Sequence, residues 1–473
     1  MRKIAWKWFT RLLLLALLLV GALIATAFTI GFPRTAAGMA AKTVCSGVFV
    51  AGRTEDDVLA NDLWPASAVL QLMRVQVLRG PATVRAHLPA GTQRVAAYDR
   101  VRGCVLLPVG EEALAQSSPQ PLAVPTPAQP LLTQATPPSQ WPATINAQQL
   151  QATIDAAFAG GQGPAMQNTR AALVVHQGRL LAEAYAPGYN ASTRLHGWSM
   201  TKTVLGMLAY KRAQEQGFSL DAPVVSFFQS NAPAWVAQWR GDARANIRVA
   251  DLMYMRDGLS HEEGYQPWSA VTRMLWDSPD IAAFVAQGSA QASAGERWRY
   301  LSATTNMLSR VLRESFASDA AYLAYPAQAV FGPIGADSAL IETDAAGHWI
   351  GSSYLWANAR DWARLGLLML QDGRWGEAQV LPPGWLAYAR TPATPEPRGQ
   401  TYGAQTWLVG KPNSLCGANH GLPADTVAMS GHWGQTVAII PSKQLVIVRL
   451  GWSMNREQWN GCEFVREVAA SVG

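Results

Sequence analysis

Ser199 and Lys202 stand three positions apart in the run LHGWSMTKTVLGML. From Ser199 onward the run has a helical pattern, so the hydroxyl and the amine share one face, a turn apart. A serine hydroxyl is a weak nucleophile until a base takes its proton, and a lysine can be that base once burial or neighbouring positive charge lowers its pKa. The start of a helix also offers backbone N–H groups where an oxyanion would form. Such a pair suits attack on a carbonyl through an acyl-serine. A lone S-x-x-K is a weak signal, since a surface lysine behind a capping serine has the same spacing. Here the surroundings are apolar and aromatic, which suits a buried face.

Two further groupings follow in order, Tyr300-Leu301-Ser302 within GERWRYLSATTNMLSRVL and His432-Trp433-Gly434 within SGHWGQTVAIIP. Together the three resemble the motif set of the serine β-lactamase and penicillin-binding-protein superfamily: S-x-x-K, then Tyr-x-Asn or Tyr-x-Ser, then K-T-G or H-x-G. VADLMYMRDGL at 249–259 and SSYLWANARDWARLGLLMLQDGRW at 352–375 are similar to the family's connecting segments, so the resemblance covers roughly 165 to 470. It is strongest to the class C-like branch that holds 6-aminohexanoate-dimer hydrolases and related esterases and peptidases.

The resemblance implies a role for each matching residue. Ser199 would be acylated; Lys202 and Tyr300, as a coupled pair, would take its proton and relay it to the leaving group. The backbone N–H groups of Ser199 and Gln435 would form the oxyanion hole, and Gly434 would let the strand approach the substrate. His432, Trp433 and Ser302 would line the site. Ser302 stands where class C β-lactamases usually carry Asn, and His432 where they carry Lys. Without a fixed positive charge the case for a β-lactam carboxylate weakens. A small ester, short amide or oligoamide is expected instead, with penicillin-binding or weak β-lactamase activity, or a non-catalytic binding protein, as alternatives. Asp257 falls where the family often has Ser. No cofactor is implied.

Other hydrolase types fit less well. Gly197-Trp198-Ser199-Met200-Thr201 lacks the second glycine of a nucleophile elbow. His261-Glu262-Glu263 has no histidine partner at the spacing of a zinc site, and no metal is expected.

The elements that must position these residues lie in a chain of 473 residues, 49% hydrophobic and 15% charged, enough to bury a large core. Of the formal charge of +6, four positive charges sit at Arg2, Lys3, Lys7 and Arg11, so nucleic acid is not an expected partner. That basic head runs into the charge-free stretch Leu12 to Phe32, which predicts an inner-membrane anchor over residues 1–34, or a secretory signal cleaved near Ala25-Thr26-Ala27. Either would place the remainder in a bacterial envelope or periplasm. Cys45, Cys104, Cys416 and Cys462 form an even set without metal-ligand spacing. Pairing of Cys45 with Cys104 and of Cys416 with Cys462 keeps each bridge within one region, with buried free thiols the alternative. A proline-rich connection at 116–145 divides a small module at 45–115 from a large unit at 146–473. In the large unit, strand patterns at both ends enclose helical ones. The expected fold is α+β and β-lactamase-like: an antiparallel sheet flanked by helices, a helical subdomain, and the membrane segment and module in front.

Overall fold

At Gly31 the backbone enters the left-handed region, φ 75°, and one helix, α1 (Arg2–Thr29), gives way to another, α2 (Phe32–Cys45). The computed structural model describes residues 2–89, 91–114, 132–161, 167–229, 232–266, 268–395, 401–417, 420–454 and 456–473. Most of the expected proline-rich connection lies outside them.

The expected membrane segment is overturned. Among the described residues no helix is long and apolar enough to cross a membrane. Of the stretch read as one span, Leu12 to Thr29 lie in α1 and only its last residue, Phe32, enters α2, whose Ala36, Ala37, Ala40 and Ala41 are buried in protein. The inner-membrane anchor, and the membrane partner and inner-membrane location built on it, fall with it.

Helix α2 lies on a four-stranded antiparallel meander of β1 (Arg74–Leu78), β2 (Thr83–His87), β3 (Arg94–Asp99) and β4 (Gly103–Leu106). A disulfide joins Cys45 at the end of α2 to Cys104 in β4. The other face of α2 meets the helix at Ala270–Trp276 so closely that a Cβ on Gly38 would fall 1.8 Å from the Trp276 carbonyl oxygen.

The larger unit begins with α3 (Ala147–Ala159), β5 (Thr169–His176) and β6 (Arg179–Tyr185), a hairpin turned at Gln177-Gly178. After α4 (Met200–Gln216) come mainly helices, among them α5 (Ser302–Arg313) and α6 (Ala359–Leu370). The chain then returns through β7 (Val427–Gly431), β8 (Gln435–Ile440) and β9 (Leu445–Gly451) and ends in α7 (Gly461–Ser471). All neighbours in the sheet β7-β8-β9-β5-β6 are antiparallel, and β9 sits beside β5, pairing Ile447 with Val174. The sheet is thus closed from both ends of the unit around a helical insertion. Residues of β5 alternate between two cores: Ala172 and Val174 face α3 and α7, while Leu173 and Val175 face α4 and α6. Cover on both faces explains why these strands are almost wholly apolar. The second disulfide, Cys416–Cys462, ties the approach to β7 to the start of α7.

Module and larger unit are joined by buried charge. Lys42 of α2 pairs with Glu342 at 3.0 Å, both side chains fully buried. Glu342 also accepts from Ser46 Oγ, Cys104 N (2.7 Å) and Trp356 Nε1 (3.2 Å). Arg94 of β3 reaches Asp277 at 2.7 Å, and Asp62 accepts from both Arg53 and Arg170 of β5. Removing one member of such a pair strands the other in a low-dielectric site. Glu342→Gln should therefore lower unfolding free energy by about 3–5 kcal/mol, read as a fall in the urea midpoint at unchanged slope; a loss below about 1 kcal/mol, the worth of a surface pair, would contradict the linkage.

Candidate active site

The nucleophile candidate sits on a sharp turn. The short strand Leu195–His196 pairs with Leu355–Ala357, Trp198 takes the left-handed conformation (φ 48°), and Ser199 caps α4. Gly197 is fixed by space: a Cβ there would lie 2.1 Å from Trp362 Cζ2. One turn on, Lys202 Nζ lies 3.0 Å from Ser199 Oγ, 3.0 Å from Ser302 Oγ and 2.9 Å from the Ser352 carbonyl oxygen. Burial lowers its pKa to about 8, against an opposing pull from the negative charge of Glu263.

Tyr300 and Ser302 arrive at the start of α5. The Tyr300 hydroxyl shares a hydrogen bond with Ser199, and its ring stands 4.9 Å from Lys202 Nζ while packing on Trp407 and Tyr402. Burial first, then the nearby Glu263, push Tyr300 far above the ordinary phenol range. Glu263 accepts from Ser302 N at 2.7 Å and from Ser302 Oγ at 2.8 Å.

Those contacts determine where protons go. Ser302 has one hydroxyl proton and gives it to Glu263, so its lone pair faces Lys202. The Ser352 carbonyl can only accept. A neutral Lys202 has two N–H bonds and one lone pair; the first two are committed to Ser302 and Ser352, and the lone pair is left for Ser199.

The structure brings Ser199, Lys202, Tyr300 and Ser302 together, with His432 and Trp433 beside them. The His432 ring stacks on Tyr265 at 4.2 Å and meets Trp198 at 5.3 Å; Trp433 lies 5.1 Å from Trp198. Residues 432–434 form the turn between β7 and β8, with Trp433 left-handed at φ 59°. A Cβ on Gly434 would meet Arg449 and Trp459 at 2.8 Å, and the Gln435 side chain bonds to the His432, Trp433 and Gly451 carbonyls. Gly431 lies against the turn before Ser199: a Cβ there would fall 2.3 Å from the Gly197 carbonyl oxygen.

Asp257 is buried, accepts from Thr304 Oγ1 and Leu259 N, and ties its loop to α5. Sequence reasoning missed Glu263, Ser352 and His196. Buried His196 bonds through Nε2 to the Ser353 carbonyl at 2.7 Å, with burial lowering its pKa to about 3, so the neutral ring clamps the Ser352–Ser353 segment to the nucleophile turn. The signal for the serines was a polar pair inside the apolar run IGSSYLW. Glu263 gave no signal beyond an acidic pair. Among the described residues one trio, Asp280, Asp344 and His348, groups ligand atoms within 4.8 Å. Its carboxylates already accept from the backbone of Ile281, Ala283 and His348, and it shares no residue with the site.

Residues 150–468 match the family model described as Beta-lactamase. The chain is 24% identical over 320 residues to a 6-aminohexanoate-dimer hydrolase of Paenarthrobacter ureafaciens, covering 62% of this chain and 76% of that protein. Among solved structures it is similar to EstCE1, described as a hydrolase with promiscuous acyltransferase activity (TM-score 0.53, 16% identity, 69% of this chain and 98% of that one). It is also similar to a penicillin-binding-protein homologue from Caulobacter crescentus (TM-score 0.51, 15% identity, 70% and 98%). Because the family match starts within α3 and stops within α7, it takes in both ends of the sheet and everything folded between them, and the chain belongs to the Beta-lactamase family.

Proposed function

We propose that this protein is a serine hydrolase that cleaves a small ester or short amide through an acyl-serine intermediate. The observation that carries the reading is the set of contacts at Lys202, which leaves a neutral amine's lone pair facing Ser199 Oγ. Lys202 takes the Ser199 proton as Oγ bonds to the substrate carbonyl carbon, and the carbonyl oxygen takes the negative charge. As the C–O or C–N bond breaks, the leaving group receives a proton through Tyr300, which is replenished from the Lys202 ammonium. Water then attacks the acyl-serine by the reverse transfers, releasing the acid and restoring Ser199.

The two pKa directions divide the labour within the pair. Lys202, near 8, exchanges a proton close to neutrality; Tyr300, raised by burial and by Glu263, stays a neutral donor and not a phenolate base. His432 stands where class C β-lactamases carry a Lys, and the loss of that fixed positive charge favours an uncharged substrate. The named activity of the Paenarthrobacter relative makes a short oligoamide the first amide to try.

A fluorophosphonate probe should label the protein and a p-nitrophenyl ester should be turned over, both lost in Ser199→Ala; no Ser199-dependent labelling would refute the enzyme reading. Because the neutral amine is the active form, kcat/KM should climb about tenfold per pH unit and level off near pH 8, where Lys202 titrates. Glu263 holds the Lys202 pKa up, so Glu263→Gln should move that limb to lower pH; an unmoved limb would show that Glu263 does not act on Lys202.

A further inference from the structure

The two acceptors that commit the N–H bonds of Lys202 both trace back to one face of α5. Ser302 Oγ takes one directly, at 3.0 Å. The Ser352 carbonyl takes the other at 2.9 Å, and Ser352 is held by Asn306, four positions along α5 from Ser302. Helical period puts residues four apart on the same face. The helix therefore reaches the amine once through its own hydroxyl and once through the segment it grips.

Donors and acceptors fix how it grips. Ser352 N can only donate, and does so to Asn306 Oδ1 at 3.1 Å. That turns the amide so that Asn306 Nδ2 donates to Ser352 Oγ at 3.0 Å and to Met274 Sδ at 3.7 Å. The hydroxyl proton of Ser352 then goes to Ser353 Oγ at 2.8 Å. The peptide plane that carries the Ser352 carbonyl is held at its other end as well, where Ser353 N donates to the Ile350 carbonyl and His196 bonds the Ser353 carbonyl. Asn306 is 2% exposed and both serines 0%, so water does not stand in for any of these partners.

Resting on the hydrolase reading above, we propose that Asn306 is a positioning residue of that reaction: by gripping Ser352 it aims the carbonyl that occupies one N–H of Lys202, and so turns the lone pair of the amine onto Ser199. When the carbonyl drifts, the ammonium form loses an acceptor and the neutral form loses the contact that orients it. The first lowers the Lys202 pKa. The second slows attack, a misplacement on the order of 1 Å costing about 100-fold.

Two substitutions in the full chain separate positioning from packing. Asn306→Leu keeps the volume and removes both contacts with Ser352. Asn306→Asp keeps them, since a carboxyl accepts from Ser352 N and can accept from or donate to Ser352 Oγ. On a p-nitrophenyl ester, Asn306→Leu should lower the plateau of kcat/KM by about 30- to 100-fold and move its rising limb below the parental pH of about 8. Asn306→Asp should hold the plateau within about threefold and not lower the limb. Glu263, behind Ser302, and Tyr300, whose ring stands 4.9 Å from Nζ, face the amine from the other side and stay in place, so a lowered limb reports the carbonyl. Lys202 is also read without substrate, from the pH titration of its Cε signal in 13C-lysine-labelled protein, assigned by its loss in Lys202→Met. That midpoint should fall in Asn306→Leu and not in Asn306→Asp.

A folded Asn306→Leu protein with parental plateau and midpoint would overturn the proposal, as would an equal loss in both variants. If Asn306→Leu does not fold, Ser352→Ala decides, because it removes the Oγ half of the grip: a plateau reduced about fivefold with a lowered midpoint supports the assignment, and no change overturns it. A parent protein that neither takes the fluorophosphonate label nor turns over ester fails the hydrolase reading instead. The midpoints then still show whether Asn306 governs Lys202, and unmoved midpoints overturn that.

Discussion

Everything at this site depends on one amine being held without being neutralised by a direct counterion. Burying an ammonium costs several kcal/mol, and the usual remedy is a carboxylate in contact. This chain does that elsewhere: Lys42 touches Glu342, donates to the Cys104 carbonyl and lies over the Tyr354 ring, every direction occupied by a group with no chemistry to perform. Lys202 is equally buried, but its carboxylate, Glu263, stands one hydroxyl away behind Ser302. The interposed serine lets the negative charge moderate the fall in pKa while keeping an accepting oxygen, not a competing base, against the amine. The same residue type is a structural tie in one place and, in the proposed reaction, a proton carrier in the other, and the difference is a single intervening side chain.

Holding Lys202 in that geometry requires three separate pieces of backbone to agree. The nucleophile turn is fixed to the 352–357 segment by Gly197 N to the Leu355 carbonyl, by Leu355 N to Thr201 Oγ1, and by His196 to the Ser353 carbonyl. That segment is fixed to α5 by paired contacts between Ser352 and Asn306. Behind them α6 presses against the sheet at Gly366, where a Cβ would fall 2.7 Å from both Val437 and Val446. The sheet joins the two ends of the unit, so chain sections far apart in sequence meet at one lysine. Tertiary closure sets the lone-pair direction; local propensity does not.

That origin explains what could and could not be read beforehand. Ser199 with Lys202 was legible because helical period alone puts them on one face, and Tyr300 with Ser302 because the motif order carried them. The α+β architecture followed from strand patterns at both ends of the unit. Glu263, Ser352 and His196 were not legible, since each acts on a residue brought near only by folding. The G-H-W-G run shows a different limit. It has a glycine at each end, and only the left-handed turn at Trp433 decides that Gly431 faces the Gly197 carbonyl while Gly434 faces Arg449 and Trp459. The N-terminal stretch was misread because an apolar run behind a basic head does not record the turn at Gly31, after which α2 packs its alanines inside the protein.

The ion pairs between module and larger unit bear on the same question of geometry. Buried pairs of this kind are a weak source of net stability compared with apolar packing, and they demand particular partners at particular distances. Here they bracket α2: Lys42 is anchored to Glu342 near one end, while Arg34 and Arg94 both converge on Asp277 at the other. Between those anchors Gly38 lies against the Trp276 carbonyl, with no room for the helix to shift toward it. A merely adhesive interface would be served as well by leucines. One that fixes α2 in register against the larger unit needs directional contacts, and the charge pairs at its two ends supply them.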